Sequence, residues 1–225
     1  AGTNFTLHYY FLAKRKFEYH KDQEFLVYIG LCIFFSIFFI ISIITVNRFT
    51  INTDAIRHSI FTAVSILTTT GFTTDNYNDW PEMSKTLLFF MFFIGGSAGS
   101  TTGGMKIIRS ILVFRYLVYE VRKLLHPKGV FNIKLGNKTV DDDVIRATLG
   151  FYLFYIVIFI TTSIILSTTG LDMETSLTAS AASIGNIGPG LGSIGPADNW
   201  AHLTDFAKWL TSFCMLLGRL EIFTV

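Results

Sequence analysis

Residues 61–72 read FTAVSILTTTGF: apolar and hydroxyl-bearing side chains run up to a glycine and stop. Counted from Ser59, this stretch reaches about 21 Å as a helix, too short to cross a hydrocarbon core of about 30 Å. On its N-terminal side, Phe25 to Val46 runs 22 residues without a charge, about 33 Å as a helix and enough to span. On its C-terminal side, the uncharged stretch Thr86 to Gly104 is also long enough, but glycines crowd its second half and predict a departure from plain helix there. The predicted order is a span, a short re-entrant helix, a glycine-bearing loop and a second span.

That order recurs. Thr148 to Thr169 is another uncharged run of 22 residues, Ser176 to Leu191 another short one, and Phe206 to Val225 a last apolar segment. Gly71 and Gly188 lie 117 residues apart, FTAVSILTTTG (61–71) overlays TASAASIGNIG (178–188) without gaps, and Trp80 and Trp200 hold comparable places in acidic loops. Further on, Phe93-Ile94-Gly95 overlays Leu216-Leu217-Gly218, setting Arg219 opposite Gly96, so the two second spans differ in kind. N-cap chemistry precedes both short helices: Asn52, Thr53 and Asp54 for the first, Asp172 with Thr175 for the second. Asp141, Asp142 and Asp143 favour the start of the following span through the helix dipole.

Composition agrees with a bilayer as solvent. Of 225 residues 51% are apolar and 15% charged, against roughly 25% charged in a soluble domain, and the mean hydropathy is +0.50. The 23 Phe cluster in runs such as Ile33 to Ile44 and are expected to face lipid rather than a core. A net charge of +2 gives no sign of nucleic-acid binding. Cys32 and Cys214 stand in apolar runs away from other ligand residues, as buried small hydrophobes rather than zinc ligands or a disulfide. The N-terminus lacks a basic and then apolar signal, and the last span is still apolar where the sequence stops, so the chain reads as a piece of a longer one.

Thirteen of the eighteen basic residues precede the first span or lie between Lys106 and Arg146, which marks the cytoplasmic side. The opposite loops carry Asp54, Asp75, Asp79, Glu82, Asp172, Glu174, Asp198 and Asp205 against Arg48, Arg57, Lys85 and Lys208, an acidic mouth that would concentrate cations. Two short helices whose C-termini point inward place partial negative charge at mid-membrane, and the loops after them offer backbone carbonyls to a dehydrated cation. On the residues alone, Gly71 and Gly188 are either filter glycines or turn glycines ending a helix. Gly95 to Gly104, mostly Gly, Ser and Ala, is either a movable barrier or a close-packing surface. It is not a nucleotide-binding loop, because Met105 and Ile107 stand where Lys and Ser/Thr are required. No cluster of His, Cys or carboxylates inside the membrane supports an enzyme.

Four motifs in order, Thr68-Thr-Thr-Gly-Phe72, Gly95-Gly-Ser-Ala-Gly-Ser-Thr-Thr-Gly-Gly-Met-Lys106, Asn186-Ile-Gly-Pro-Gly-Leu191 and Leu217-Gly-Arg-Leu-Glu-Ile-Phe-Thr224, resemble the Trk/Ktr/HKT superfamily of potassium transporters, in its bacterial TrkH branch. The resemblance covers essentially the whole chain, as the third and fourth of four repeats. It implies an all-α membrane protein with two helix/re-entrant P-loop/helix repeats of a pseudo-fourfold, cation-channel-like pore. Residues 1–24 would end the preceding repeat and form a cytoplasmic loop, 25–118 the third repeat, 119–143 a cytoplasmic linker and 144–225 the fourth.

The resemblance further implies a potassium filter lined by Thr69, Thr70, Gly71 and Phe72 on one wall and Asn186, Ile187, Gly188 and Pro189 on another. Pro189 and the missing TTTGF pattern in the last repeat depart from potassium-channel form. Gly95, Gly96, Ser97, Ala98, Gly99, Ser100, Thr101, Thr102, Gly103 and Gly104 match the family's intramembrane gate. Arg219 matches the arginine that approaches it, with snorkelling to the cytoplasmic headgroups as the alternative. Glu221, two residues on, could not pair with Arg219 along a helix. The transported ion would be K⁺, with no organic cofactor.

Implied partners are membrane lipid, a second copy in a homodimer, and a cytosolic nucleotide-binding ring (TrkA-like) docked on the basic stretch Lys106 to Lys138, a stretch that anionic lipid could equally bind. The location would be the bacterial cytoplasmic (inner) membrane, crossed several times. A sodium-conducting or sodium-coupled relative and a non-conducting scaffold are the alternatives. A scaffold would have no use for a weak segment in mid-span.

Overall fold

The computed structural model describes residues 2–15, 19–46, 53–126, 132–135 and 138–220. Among them are eight α-helices: α1 (Phe5–Lys14), α2 (Gln23–Val46), α3 (Thr53–Leu67), α4 (Glu82–Ile94), α5 (Ile107–Leu125), α6 (Asp142–Ser167), α7 (Met173–Gly185) and α8 (Asp205–Arg219). A two-residue antiparallel ladder, β1 (Lys134–Leu135) with β2 (Lys138–Thr139), lies between α5 and α6. Helices α2 and α6, 24 and 26 residues long, are long and apolar enough to cross a membrane. Asp142 and Asp143 fill the first turn of α6, where negative charge offsets the dipole.

The span, short helix, loop, second span order is present twice. In the first of the two repeats described α2 packs on α3, and α3 on α4; in the second α7 packs on both α6 and α8. The seam between repeats is α4 against α7, and one apolar cluster crosses it, joining Phe35, Phe39 and Leu67 to Met91, Ala181 and Ile187. Hydroxyls stitch the helices together: Ser84 to Ser42 at 2.8 Å, Ser180 to the Phe159 carbonyl at 2.9 Å, and Thr162 beside Cys214 Sγ at 3.2 Å.

The phenylalanine expectation needs correction. Ile33, Phe34, Ile37 and Ile41 do point outward, but Phe35 and Phe39 are buried, as are Phe92 and Phe151. Phe35 and Phe39 are four apart and share a helix face with Tyr28, which α3 and α4 cover. A run of one residue type hides the period, because both faces of the helix are aromatic. The comparable tryptophans also differ. Trp80 is buried with its indole N–H on Asp75 Oδ2 at 2.8 Å, whereas Trp200 is half-buried in a short 3₁₀ turn.

The second spans diverge as expected. Helix α4 stops at Ile94, and Gly95 takes φ +68, whereas α8 runs through Gly218 to Arg219 without a break. Helix α5 continues to Leu125, past the point at residue 118 where the repeat was expected to give way to a linker. The N-cap position Asn52, Glu221 and the 221–224 part of the last motif lie outside the described residues, as do Lys16, Arg48 and Lys128.

Candidate permeation site

Helix α3 ends because Thr69 turns into the left-handed region, φ +49; α7 ends at Asn186, φ +53. The hydrogen bonds that close the two ends correspond one for one. Thr69 N–H donates to Ile66 O at 3.0 Å and Thr70 N–H to Ser65 O at 2.9 Å; Asn186 N–H donates to Ser183 O at 3.1 Å and Ile187 N–H to Ala182 O at 3.0 Å. This is the Schellman pattern, which satisfies the last carbonyls of a helix. Two residues past each turn come Gly71 (φ +74) and Gly188 (φ +113). The repeat seen as weak sequence identity is therefore a close repeat of backbone conformation.

The two loops meet. A Cβ on Gly71 would lie 2.0 Å from Ile187 O, so the glycine is required by contact as well as by dihedral. A Cβ on Gly188 would meet open space, and only its dihedral demands glycine. Side chains of the short helices brace the outward limbs: Ser65 Oγ donates to Phe72 O at 2.6 Å, and Thr178 Oγ1 accepts from Leu191 N–H at 3.0 Å. Asn186 also donates from Nδ2 to Met215 O at 3.0 Å, anchoring the second loop to α8.

Residues 95–106 form a closed excursion between α4 and α5. Met105 N–H donates to Phe93 O and Ile107 N–H to Gly96 O, both at 3.0 Å, so the neck is bonded while the interior departs from helix. The interior bonds to the turn that ends α3, to the N-terminal segment and to α8. Gly103 N–H donates to Thr69 Oγ1 at 3.0 Å, joining the excursion to the first filter loop. Ser97 N–H donates to Gly2 O and Phe5 N–H to Gly99 O, at 2.9 and 3.1 Å. Arg219 Nη1 donates to Thr101 O at 2.5 Å. Arg219, expected from the resemblance to approach this segment, thus bonds one of its backbone carbonyls.

Two residues were missed. Glu24 is 7% exposed, and its Oε1 accepts from Ala98 N–H at 2.7 Å and from Ile108 N–H at 3.1 Å, linking both ends of the excursion to the start of α2. Lys106, counted among the cytoplasmic cations, is 2% exposed with φ +60, and its ammonium donates to the Thr102 carbonyl. It belongs to the excursion, not to an open basic surface. A buried charge is tolerated only when paired or hydrogen-bonded. The available signal was a charge at each edge of an apolar or glycine-rich run, which reads equally well as a flank.

In the loops expected to face outward, the three cations among the described residues pair with a neighbouring carboxylate: Arg57 with Asp54 at 3.1 Å, Lys85 with Glu82 at 2.6 Å and Lys208 with Asp205 at 3.6 Å. Asp75, Asp79, Asp172, Glu174 and Asp198 are the further carboxylates of these loops, whose sequence carries eight acids against four cations.

Short helices ending in left-handed turns, glycine loops that meet and an irregular segment beside them define a helical membrane protein of the cation-transporter class. The family model TrkH, a cation transport protein, matches residues 25–225, and the chain belongs to that family. It is 37% identical over 226 residues to the Trk system potassium uptake protein TrkH of Salmonella typhimurium, covering 100% of this chain and 46% of that protein. It is 36% identical over 168 residues to the Trk system potassium uptake protein TrkG of Escherichia coli, covering 75% and 34%. The crystal structure of the potassium transporter TrkH from Vibrio parahaemolyticus superposes with a TM-score of 0.91 at 38% identity, over 99% of this chain and 48% of that one. The chain thus spans about half the length of the curated relatives it matches.

Proposed function

We propose that the protein carrying this chain takes up potassium across the bacterial cytoplasmic membrane, which it crosses several times. The chain supplies two of four walls of the pore. Thr69 to Phe72 and Asn186 to Pro189 present backbone carbonyls to dehydrated K⁺, and Gly95 to Gly104 with Arg219 form the barrier beneath. The single observation supporting this is the matched pair of left-handed helix ends, each followed two residues later by a positive-φ glycine, facing one another across the repeat seam.

The ion supplies charge and the chain supplies substitutes for its water. Carbonyls beyond a helix C-terminus carry partial negative charge and need no reorganisation when the ion enters. The tip of the excursion, Gly99 to Thr101, suits a barrier because Phe5 and Arg219 each hold it by a single hydrogen bond worth about 1 kcal/mol, while the buried limbs on either side stay packed. In the same proposal a second copy makes a homodimer, and a cytosolic nucleotide-binding ring acts on α5. That helix presents Arg122 and Lys123 on a surface whose other exposed side chains include Phe114, Leu117 and Val121, while the half-buried Arg115 donates to Lys134 O and Gln23 Oε1.

Rubidium uptake into proteoliposomes holding the full-length protein, with sodium as competitor and Gly71→Ser as control, tests it. Uptake that resists sodium and weakens in the variant is expected. Failure to move any alkali cation, with or without the ring, would leave the scaffold alternative standing.

A further inference from the structure

Asn78 lies in the outer loop that follows the first filter wall, yet its carboxamide is spent entirely on the second. Nδ2 donates to Gly192 O at 2.9 Å, and Oδ1 accepts from Gly192 N–H at 3.2 Å, across 114 residues of chain. A carboxamide that bonds both the N–H and the C=O of one residue acts as one rung of a β ladder between two loops that have no ladder of their own. The receiving slot is shaped for it. A Cβ on Gly195 would lie 2.1 Å from Asn78 Nδ2, and one on Gly192 would lie 2.3 Å from Thr175 Oγ1.

Both sides of the clasp are stiff. Tyr77 and Trp80 flank Asn78 and are buried at 0% and 7% exposure, and Asn76 Oδ1 accepts from Asn78 N–H at 3.3 Å. Opposite, Ser193 N–H donates to Thr175 Oγ1 at 3.0 Å, and Gly190 N–H to Ile194 O at 2.9 Å. The second filter segment is thus held against the first at two points, at Gly71 beside Ile187 and at Asn78 on Gly192, with Gly188 to Leu191 strung between them.

We propose that Asn78 is a specificity-determining positioning residue, whose clasp on Gly192 sets the spacing between adjacent filter walls and hence the preference for K⁺ over Na⁺. This rests on the potassium-pore function proposed above. Asn78 touches no ion; it acts through the backbone of the neighbouring wall.

The test is the ratio of rubidium to sodium flux in proteoliposomes of the full-length protein. Asn78→Ala should lower that ratio about fivefold, the factor expected for losing one to two neutral hydrogen bonds. Gly195→Ala, which closes the slot from the other repeat, should lower it similarly. Asn78→Asp separates positioning from general damage. At neutral pH its carboxylate faces the Gly192 carbonyl without a donor and selectivity should fall. At an external pH of about 4 the protonated acid regains one donor and one acceptor, and selectivity should return. The wild type, with Asp75, Asp79 and His202 in the same outer loops, is the control over that pH range. A selective wild type whose ratio is unchanged in Asn78→Ala and Gly195→Ala would overturn the proposal and leave the pore standing. A wild type that moves no alkali cation would overturn both.

Discussion

The two repeats share a turn and differ in almost everything around it. Their short helices end with corresponding hydrogen bonds at residues 117 positions apart, Thr69 against Asn186 and Thr70 against Ile187. Yet α7 is buried from Thr175 to Gly185 at every residue but the half-buried Leu177, while α3 leaves Ile60, Phe61 and Val64 exposed. Helix α7 achieves this with Ala, Ser, Thr and Gly, which let α4, α6 and α8 approach closely. A Cβ on Gly218 would lie 1.9 Å from Ile184 O and one on Gly103 2.1 Å from Gly185 O, so the last turn of α7 is gripped by glycine contacts from both α8 and the excursion. The backbone turn is held constant between the repeats, and what surrounds it differs.

The sharpest break in that symmetry lies at the two glycines. Gly71→Ser adds a side chain against Ile187 O and forces a positive φ, whereas Gly188→Ser meets only the dihedral penalty, about 1 to 3 kcal/mol. The expected outcome is loss of rubidium selectivity by about tenfold or more for Gly71→Ser, and a smaller loss for Gly188→Ser with expression intact. Equal effects would mean that the contact across the seam does not matter to the filter.

The second spans give the next largest effect. Deleting Ser97 to Gly99 leaves the bonded neck at Phe93, Gly96, Met105 and Ile107 but removes the bonds to Gly2 and Phe5 and one of the two to Glu24. Basal rubidium flux without the cytosolic ring should rise several-fold; flux at the wild-type level would show that the excursion is not the barrier. Arg219→Gln attacks the same barrier from the fourth repeat. Because Arg219 is exposed, its bond to Thr101 O is screened, and a rise in basal flux of about threefold is expected.

Much of this asymmetry was legible in the sequence, and the part that was not has a physical reason. The spans, the short helices and the break at Gly95 follow from charge-free length and glycine content, which act locally. The left-handed turns at Thr69 and Asn186 were foreshadowed by the overlay of residues 61–71 on 178–188. Glu24 and Asn78 were not found, because each acts on backbone far away in the chain, Glu24 on Ala98 and Ile108 and Asn78 on Gly192; Lys106, which bonds the nearby Thr102 carbonyl, was hidden because a charge at the edge of a glycine-rich run reads as a flank. A backbone amide carries no sequence label, so a side chain that bonds to one leaves no pattern to pair it with. The aromatic face of α2 was misread for the opposite reason, since Phe on both faces erased the period that marks burial.

The smallest predicted difference concerns where the short helices begin. At the start of α7, Asp172 accepts from Thr175 N–H at 3.1 Å, a bonded N-cap. Its hydrogen bonds with Thr175 hold its pKa below the ordinary value of 3.8, because they favour the charged form. In α3 the corresponding first-turn acid, Asp54, pairs with Arg57 on an exposed surface, an arrangement worth little. Asp172→Ala should therefore lower stability by about 1 kcal/mol at neutral pH, and Arg57→Ala by about half that or less. A depressed folded pKa stabilises fully above 3.8 and loses that contribution as pH falls through the folded value. The gap between Asp172→Ala and wild type, read from thermal unfolding of the full-length protein in detergent, should thus be constant from pH 7 down to about 4 and close below that. A gap that instead widens in acid would place the stabilisation in the protonated carboxyl, and the cap of α7 would then not distinguish the two repeats.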